Sequence, residues 1–315
     1  MRLQYVQHKV IAAFLRCLVR PRLHLHPKPD EVVSIPLRET GQSIKAHIYK
    51  PATEKQKPSP VLLNFCGSGF VLPTFGNDDE FCRYIVDHTD YTVIDVQYRL
   101  APEHTFPAAF QDAEDAVKWV RSQPERFDID CISLSGFSSG ANIALAVSSS
   151  SGLFSLENQN DRPDVFRAVL SFYGPTDLAL ETPDKTIADP SNWIMRKIFP
   201  GFSRLCHKCF NPGVVNPEDP RMSPLFADPL NFPGNILIIT AAQCAFAIEG
   251  EKLATKLESA GKYVKSCRME GCAHGWDKEA VRGTSQCKAK NDAYVMAVEI
   301  LQRGKNDGSE TPKPE

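Results

Sequence analysis

The segment CISLSGFSSGANIALAV, residues 131 to 147, determines the fold that we expect. Its apolar start, Cys131 to Leu134, has the length of a buried strand, and a helical pattern begins near Ala141. Between them lies the small-residue turn Gly136-Phe-Ser138-Ser-Gly140. A serine held on a sharp turn between a strand and a helix is the setting of a nucleophile elbow, and glycines suit the crowded positions beside it. We therefore take Ser138 as the candidate nucleophile.

Short apolar runs with the length of buried strands lie on both sides of this turn, and helical patterns separate them. The further strand candidates are Val61–Phe65, Tyr91–Val96, Ala168–Tyr173, Ile236–Thr240 and Val264–Arg268, and the helix candidates are Ala108–Ser122, Ala141–Ser149, Glu249–Ala260 and Ala289–Arg303. This alternation predicts an α/β fold, with a mostly parallel central sheet and helices on both faces. An antiparallel pair is expected earlier, between residues 32 and 49.

We predict one catalytic unit that carries a helical cap. The segment between Asp177 and Ile236 is too long for a plain loop and is expected to contain cap helices. The first 20 residues have the spacing of an amphipathic helix, whose apolar side either covers the active-site mouth or contacts a membrane surface. The predicted division is an N-terminal helical cap segment (1–35), a first core part (36–180), a cap insertion (181–222), a second core part (223–303) and a disordered tail (304–315).

Composition argues against several function classes. The formal net charge is only -2 and no basic stretch is present, so nucleic-acid binding has little support. Neither a secretory leader nor a membrane span is recognisable, which predicts a cytoplasmic protein. The 10 cysteines are scattered and are expected to be mostly reduced, buried thiols. Cys206 and Cys209 form a CxxC pair without a second ligand pair, so we expect no metal site.

Two other segments have the residues that acyl transfer requires. The loop NFCGSGF, residues 64 to 70, follows an apolar strand, and its exposed amides suit a negatively charged oxygen. We assign the oxyanion hole to the backbone amides of Ser68, Gly69 and Ser139. His274 lies in the small-residue loop GCAHGW, residues 271 to 276, after the last predicted strand, where the general base of a Ser-acid-His chain order falls.

These residues resemble the hormone-sensitive-lipase-like branch of the α/β-hydrolases, and more closely its fungal carboxylesterase-like members. The most specific segment is YRLAPEH, residues 98 to 104, followed by FPAA, residues 106 to 109, and Ser223-Pro-Leu adds to the match. The resemblance implies a cap built partly from the N-terminus, a small hydrophobic ester as substrate and no cofactor. It also implies an oxyanion loop of His-Gly-Gly-Gly type, a nucleophile in Gly-Asp-Ser-Ala-Gly and an aspartate beyond the seventh strand.

The chain departs from this pattern at the acid. Aligning TAAQC, residues 240 to 244, with the family's Thr-Ala-Gly-x-Asp places Cys244 where the aspartate is expected. A thiol is mostly uncharged at neutral pH and stabilises an imidazolium weakly. Asp177 is our preferred replacement acid, and Glu249 is the alternative. Smaller departures are Cys66 for the loop histidine, Ser68 for a glycine and Phe137 for the aspartate before the nucleophile.

Three functions therefore stay open at this point. The first is a serine hydrolase that cleaves or transfers the acyl group of a small hydrophobic ester through Ser138, with His274 as base. The second is a non-hydrolytic tailoring enzyme of secondary metabolism that catalyses condensation or cyclisation in the same pocket. The third is a ligand-binding protein with little turnover, because its acid is missing. A homodimer is compatible with each of them.

Overall fold

A computed structural model describes residues 2–19, 25–52, 58–150 and 165–309. The strands are β1 (Glu31–Pro36), β2 (Ser43–Tyr49), β3 (Ser59–Phe65), β4 (Thr92–Val96), β5 (Phe127–Phe137), β6 (Phe166–Phe172), β7 (Asn235–Ala241) and β8 (Tyr263–Met269). The helices are α1 (Arg2–Val19), α2 (Asp79–His88), α3 (Ala108–Arg121), α4 (Ser139–Ser148), α5 (Trp193–Lys197), α6 (Phe199–Phe210), α7 (Ala247–Ser259) and α8 (Ser285–Ser309). Short 3₁₀ turns span Thr182–Asp184, Pro224–Phe226, Pro229–Asn231 and Trp276–Lys278.

The strands form one sheet of 8 strands in the order β1-β2-β4-β3-β5-β6-β7-β8. The β1–β2 and β2–β4 pairs are antiparallel, and every other pair is parallel. Strands β4 and β7 are buried along their whole length, because helices cover both faces. Helices α3, α4 and α7 pack on one face, and α2 and α8 pack on the other. The predicted α/β fold is confirmed.

The parallel arrangement determines where a site forms. The strands β3, β5, β6, β7 and β8 run in the same direction, so the loops that follow them meet at one edge of the sheet. These loops contain the oxyanion segment, Ser138, Asp177, Cys244 and His274. Helices α5 and α6, inserted between β6 and β7, lie above this edge: Phe199 and Phe202 of α6 line the same cavity as Ser138.

The N-terminal segment differs from the prediction in part. Helix α1 ends at Val19 and β1 begins at Glu31, so residues 31–35 are part of the sheet rather than of a helical cap. Their alternating apolar side chains favour a strand, and Ile35 is fully buried. Helix α1 itself contacts α6 and the residue after the oxyanion loop: the Sγ of Cys209 lies 3.8 Å from the carbonyl of His8, and the Arg16 guanidinium donates to the carbonyl of Val71 at 2.9 Å.

The C-terminal prediction is wrong for residues 304–309. Helix α8 continues through Ser309 because Leu301 and Gly304 are buried against the body of the protein. A Cβ at Gly304 would lie 2.9 Å from the carbonyl oxygen of Arg167, so α8 can approach the Arg167 backbone this closely because glycine has no side chain. Residues 310–315 lie outside the described residues. Among the helices of the described segments, none is both long and apolar enough to cross a membrane.

Candidate active site

Ser138 lies on a strained turn between β5 and α4. Its φ is 52°, a left-handed conformation that few non-glycine residues adopt. The turn is packed tightly: a Cβ at Gly140 would lie 1.9 Å from the carbonyl oxygen of Phe65, and a Cβ at Gly136 would lie 2.3 Å from the backbone of Gly140. The Ser138 amide donates to the carbonyl of Phe172 at 2.9 Å. Packing and hydrogen bonds from the neighbouring strands thus keep Ser138 in its strained conformation and place its hydroxyl at the edge of the sheet.

His274 contacts this hydroxyl directly. The Ser138 Oγ and the His274 Nε2 are 2.8 Å apart, within the distance for proton transfer. Three aromatic rings surround the imidazole, with centroid distances of 4.6 Å (Phe199), 4.9 Å (Tyr173) and 5.5 Å (Phe246). Burial among these groups lowers the pKa of His274 to about 4, and the negative charge of Asp277 opposes this shift. The ring is therefore neutral at pH 7, which is the state a general base needs.

A thiol contacts the other ring nitrogen. The Sγ of Cys244 lies 3.1 Å from the His274 Nδ1, and the Phe246 amide donates to the same sulfur at 3.4 Å. Burial raises the pKa of Cys244 to about 12, so the thiol is uncharged at neutral pH. A carboxylate only accepts hydrogen bonds and would keep the ring proton on Nδ1, whereas a neutral thiol both donates and accepts weakly. Cys244 therefore selects the reactive tautomer poorly and leaves an imidazolium without a charged hydrogen-bond partner at Nδ1.

The structure corrects the two replacement acids. The Oδ1 of Asp177 accepts from the amides of Ala179 and Leu180, at 2.9 and 3.2 Å, and the carboxylate makes no contact with His274. The Oε1 of Glu249 accepts from the amide of Thr176 at 2.8 Å, and its Oε2 forms a buried ion pair with Lys185. Both carboxylates hold the turn after β6. Their hydrogen bonds and the ion pair direct them away from the imidazole.

The three residues expected in the oxyanion hole do come together. Ser68, Gly69 and Ser139 line the same cavity as Ser138. The Ser68 amide, however, already donates to the Ser139 Oγ at 2.9 Å. In the resting structure this donor is therefore occupied, which sequence reasoning did not anticipate. Gly67 also belongs to the loop: a Cβ there would lie 3.1 Å from the Ser138 Cβ, so the loop needs glycine to approach the nucleophile.

The reacting groups open into a small apolar cavity of about 200 Å³. Its lining comes from the oxyanion loop, the elbow, the His274 loop and the cap helix α6. The aromatic and other apolar lining residues include Phe70, Leu72, Phe199, Phe202 and Phe246. His207 of α6 also faces the cavity, and burial lowers its pKa to about 3, so it adds no positive charge at neutral pH. A cavity with these properties suits an uncharged apolar group.

Comparison with known proteins identifies the family. A family model described as alpha/beta hydrolase fold matches residues 62–278, which contain the elbow, the oxyanion loop and His274. The chain belongs to this family. Within it, the similarity is to carboxylesterases of the hormone-sensitive-lipase-like branch, as the sequence motifs indicated.

Several known esterases are similar to this α/β-hydrolase. Carboxylic ester hydrolase LipN of Mycobacterium tuberculosis is 26% identical over 267 residues, which are 84% of this chain and 68% of LipN. Esterase LipI of the same organism is 37% identical over 130 residues, but the match spans only 40% of each protein. The crystal structure of EstE1, a thermostable carboxylesterase from a metagenomic library, superposes with a TM-score of 0.74 at 26% identity, covering 93% of this chain and 97% of EstE1.

A buried ionic cluster beside the site of this α/β-hydrolase was missed by sequence reasoning. The Nζ of Lys278 lies 2.6 Å from Asp78 and 2.9 Å from Asp277, and Lys278 is one of the residues that line the active-site cavity. The hydroxyl of Tyr173 donates to Asp277 at 2.6 Å, and the same ring packs edge-on against His274. The cluster therefore connects the N-terminal end of α2 with the turn that follows His274. Its members are far apart in the sequence and form no motif.

The cysteine pair of the α/β-hydrolase's cap has no metal-site geometry. Cys206 and Cys209 are buried free thiols on α6, and burial raises the pKa of Cys206 to about 12 and that of Cys209 to about 11. Among the described residues, no group of three or more histidine, cysteine or acidic side chains is placed to hold a metal ion. Cys206 instead lines the active-site cavity and contributes to its apolar surface.

Proposed function

We propose that the chain is a cofactor-free serine esterase that cleaves or transfers the acyl group of a small hydrophobic ester. The observation that carries this proposal is the 2.8 Å contact between the Ser138 Oγ and the His274 Nε2 at the mouth of an apolar cavity. The similarity to carboxylesterases over most of the chain supports it. The volume of about 200 Å³ favours short acyl or alcohol groups.

The reaction follows from the positions of these groups. The Ser138 Oγ attacks the ester carbonyl carbon while His274 Nε2 takes its proton, and the carbonyl oxygen becomes an oxyanion. The backbone amides of Gly69 and Ser139 stabilise this charge, and the Ser68 amide joins them when it is released from the Ser139 hydroxyl. Collapse of the intermediate expels the alkoxide, which takes the proton from His274. Water or another acceptor then removes the acyl group from Ser138 by the same steps.

A fluorophosphonate probe tests the proposal. The Ser138 oxygen forms a bond to phosphorus, the phosphorus–fluorine bond breaks, and the proton passes to His274 with fluoride as leaving group. We expect labelling of the wild type, no labelling of Ser138→Ala and slow labelling of His274→Ala. A matched control is Ser149→Ala, because the Ser149 hydroxyl is buried and donates to the Ala146 carbonyl at 3.0 Å, within its own helix turn. Failure of the folded wild type to react would refute the nucleophile assignment.

The Cys244 thiol favours a second candidate function, a binding protein with little turnover. An uncharged group beside Nδ1 weakens the base, whereas the apolar cavity is unaffected. In this case small hydrophobic esters would bind with equal affinity to the wild type, Ser138→Ala and His274→Ala. Calorimetric titration of the three proteins distinguishes the functions, together with a measurement of p-nitrophenyl acetate hydrolysis. Hydrolysis by the wild type that Ser138→Ala abolishes would exclude the binding-only function.

A further inference from the structure

A buried cluster of three hydroxyl groups lies directly behind the oxyanion loop. The Ser68 Oγ and the Tyr98 hydroxyl are 2.7 Å apart, and the Tyr98 hydroxyl lies 3.1 Å from the Ser139 Oγ. The Ser139 Oγ in turn accepts from the Ser68 amide at 2.9 Å. All three residues are at most 4% exposed. The side chains of this cluster are therefore largely shielded from bulk solvent.

The protons of this cluster can be assigned. Tyr98 donates its hydroxyl proton to the carbonyl of Cys66 at 2.7 Å, because a carbonyl only accepts. Burial raises the pKa of Tyr98, so the phenol keeps that proton. Ser68 therefore donates to the Tyr98 oxygen, and Ser139 donates either to the same oxygen at 3.1 Å or to the Ser68 Oγ at 3.4 Å. The remaining lone pairs of the Ser139 oxygen are then available to the Ser68 amide, and the arrangement satisfies every donor.

This satisfied network has a cost for oxyanion binding. A donor contributes to catalysis when it is already aimed at the position where negative charge develops. The Ser68 amide is aimed at the Ser139 oxygen instead and has to exchange that partner for the oxyanion. The exchange has room to occur, because a cavity of about 250 Å³ lies behind the loop and is lined by Cys66, Ser68 and Tyr98.

We propose that the Ser139 hydroxyl is a latch on the oxyanion hole, which engages the Ser68 amide in the resting site and lowers its contribution to the transition state. The proposal deepens the esterase function above and rests on it. Ser139 acts here as a positioning residue, since its hydroxyl controls the amide of another residue. A purely structural role would predict that removal of the hydroxyl slows the reaction. The latch predicts that removal accelerates it.

The test is the rate of fluorophosphonate labelling by Ser139→Ala. The charged transition state of phosphonylation uses the same amides as that of acylation. One oxyanion donor is worth on the order of 100-fold or more in rate, so even partial release of the Ser68 amide should give about tenfold faster labelling. Ser139→Gly removes the hydroxyl together with the Cβ and should show the same gain. Ser149→Ala, at the C-terminal cap of the same helix, should match the wild type.

Each outcome decides the question. Faster labelling by both hydroxyl-free variants than by a labelled wild type supports the latch. Equal or slower labelling by folded Ser139→Ala, with a labelled wild type, overturns the latch and leaves the esterase function intact. If neither the wild type nor the variants are labelled, both proposals fail. Circular dichroism and the melting temperature establish that each variant is folded.

Discussion

Replacement of Cys244 by aspartate should convert a weak base into a strong one. The carboxylate would occupy the place of the sulfur, 3.1 Å from the His274 Nδ1, and would receive the Phe246 amide that now donates to the thiol. As an acceptor without a proton it would keep the ring proton on Nδ1, and its charge would stabilise the imidazolium formed during acylation. Both effects act on the same step.

The charge effect can be estimated from the base itself. The pKa of His274 is about 4, compared with an ordinary value of 6.5. Restoring the ordinary value corresponds to about 3.4 kcal/mol, or about 300-fold in rate if the transition state carries the full imidazolium charge. Loss of the correct tautomer alone costs about 10⁴-fold in a serine protease. We therefore expect the kcat of Cys244→Asp for p-nitrophenyl acetate to rise by two to four orders of magnitude.

Cys244→Asn is the matched control, because it has the shape of aspartate without the charge. It should show no gain. The reasoning would be refuted if folded Cys244→Asp, with the wild-type stoichiometry of fluorophosphonate labelling, hydrolysed the ester no faster than the wild type. An equal gain in the asparagine variant would show that size rather than charge limits the wild type.

Three further predictions concern the base, the turn after β6 and the elbow. Because the pKa of His274 is about 4, its base form is present above that pH, so the labelling rate of the wild type should stay level down to about pH 5 and halve near pH 4. A midpoint near 6.5 would contradict the assigned environment of His274. The midpoint of Cys244→Asp should lie at a higher pH than that of the wild type. Glu249→Gln leaves Lys185 buried without its partner and should lower the free energy of unfolding, measured by chemical denaturation, by about 3 to 5 kcal/mol. It should not move the pH midpoint of the labelling rate. A shifted midpoint would indicate that Glu249 acts on His274. Gly140→Ala places a Cβ 1.9 Å from the Phe65 carbonyl and should destabilise the fold by more than about 4 kcal/mol, whereas Gly201→Ala, with nothing within 4 Å, should be tolerated; equal melting temperatures would contradict the packing of the elbow.

Much of the fold could be predicted because buried parallel strands have a local signature. Strands such as β3 and β7 are apolar on both faces, so they read as continuous runs in the sequence. The elbow was also recognisable, since the strained φ of Ser138 and the close contact at Gly140 both require small neighbours. The end of α8 was not recognisable in the sequence, because a glycine such as Gly304 interrupts a helical pattern. In the structure the same glycine is buried against Arg167 within the helix.

The partner of His274 shows why the rest of the site was harder to predict. Alignment of one motif placed Cys244 at the acid position, and the structure has its sulfur at Nδ1. Asp177, the preferred acid, follows a neighbouring strand, yet its carboxylate accepts from amides only two and three residues away. Glu249 binds an amide 73 residues distant, and the Ser68 amide binds a hydroxyl 71 residues distant. A sequence pattern does not reveal which of several polar groups takes a given partner at such separations.

The environment of residue 244 explains how a thiol is accommodated there. Cys244 is fully buried, and the Phe246 amide is the backbone donor that reaches it. An ionised carboxylate at this place would lose its hydration, and burial is the main cause that raises the pKa of Cys244, while the nearby charges of Glu249 and Lys185 act on it in opposite directions. The thiol avoids this cost in the resting protein, because a neutral sulfur needs little solvation. Because the thiol is neutral, it also does not stabilise the positive charge of the imidazolium that forms during acylation. The cysteine at position 244 therefore favours stability of the resting site over stabilisation of the transition state. Cys244→Asp reverses this balance: it stabilises the transition state and destabilises the resting site.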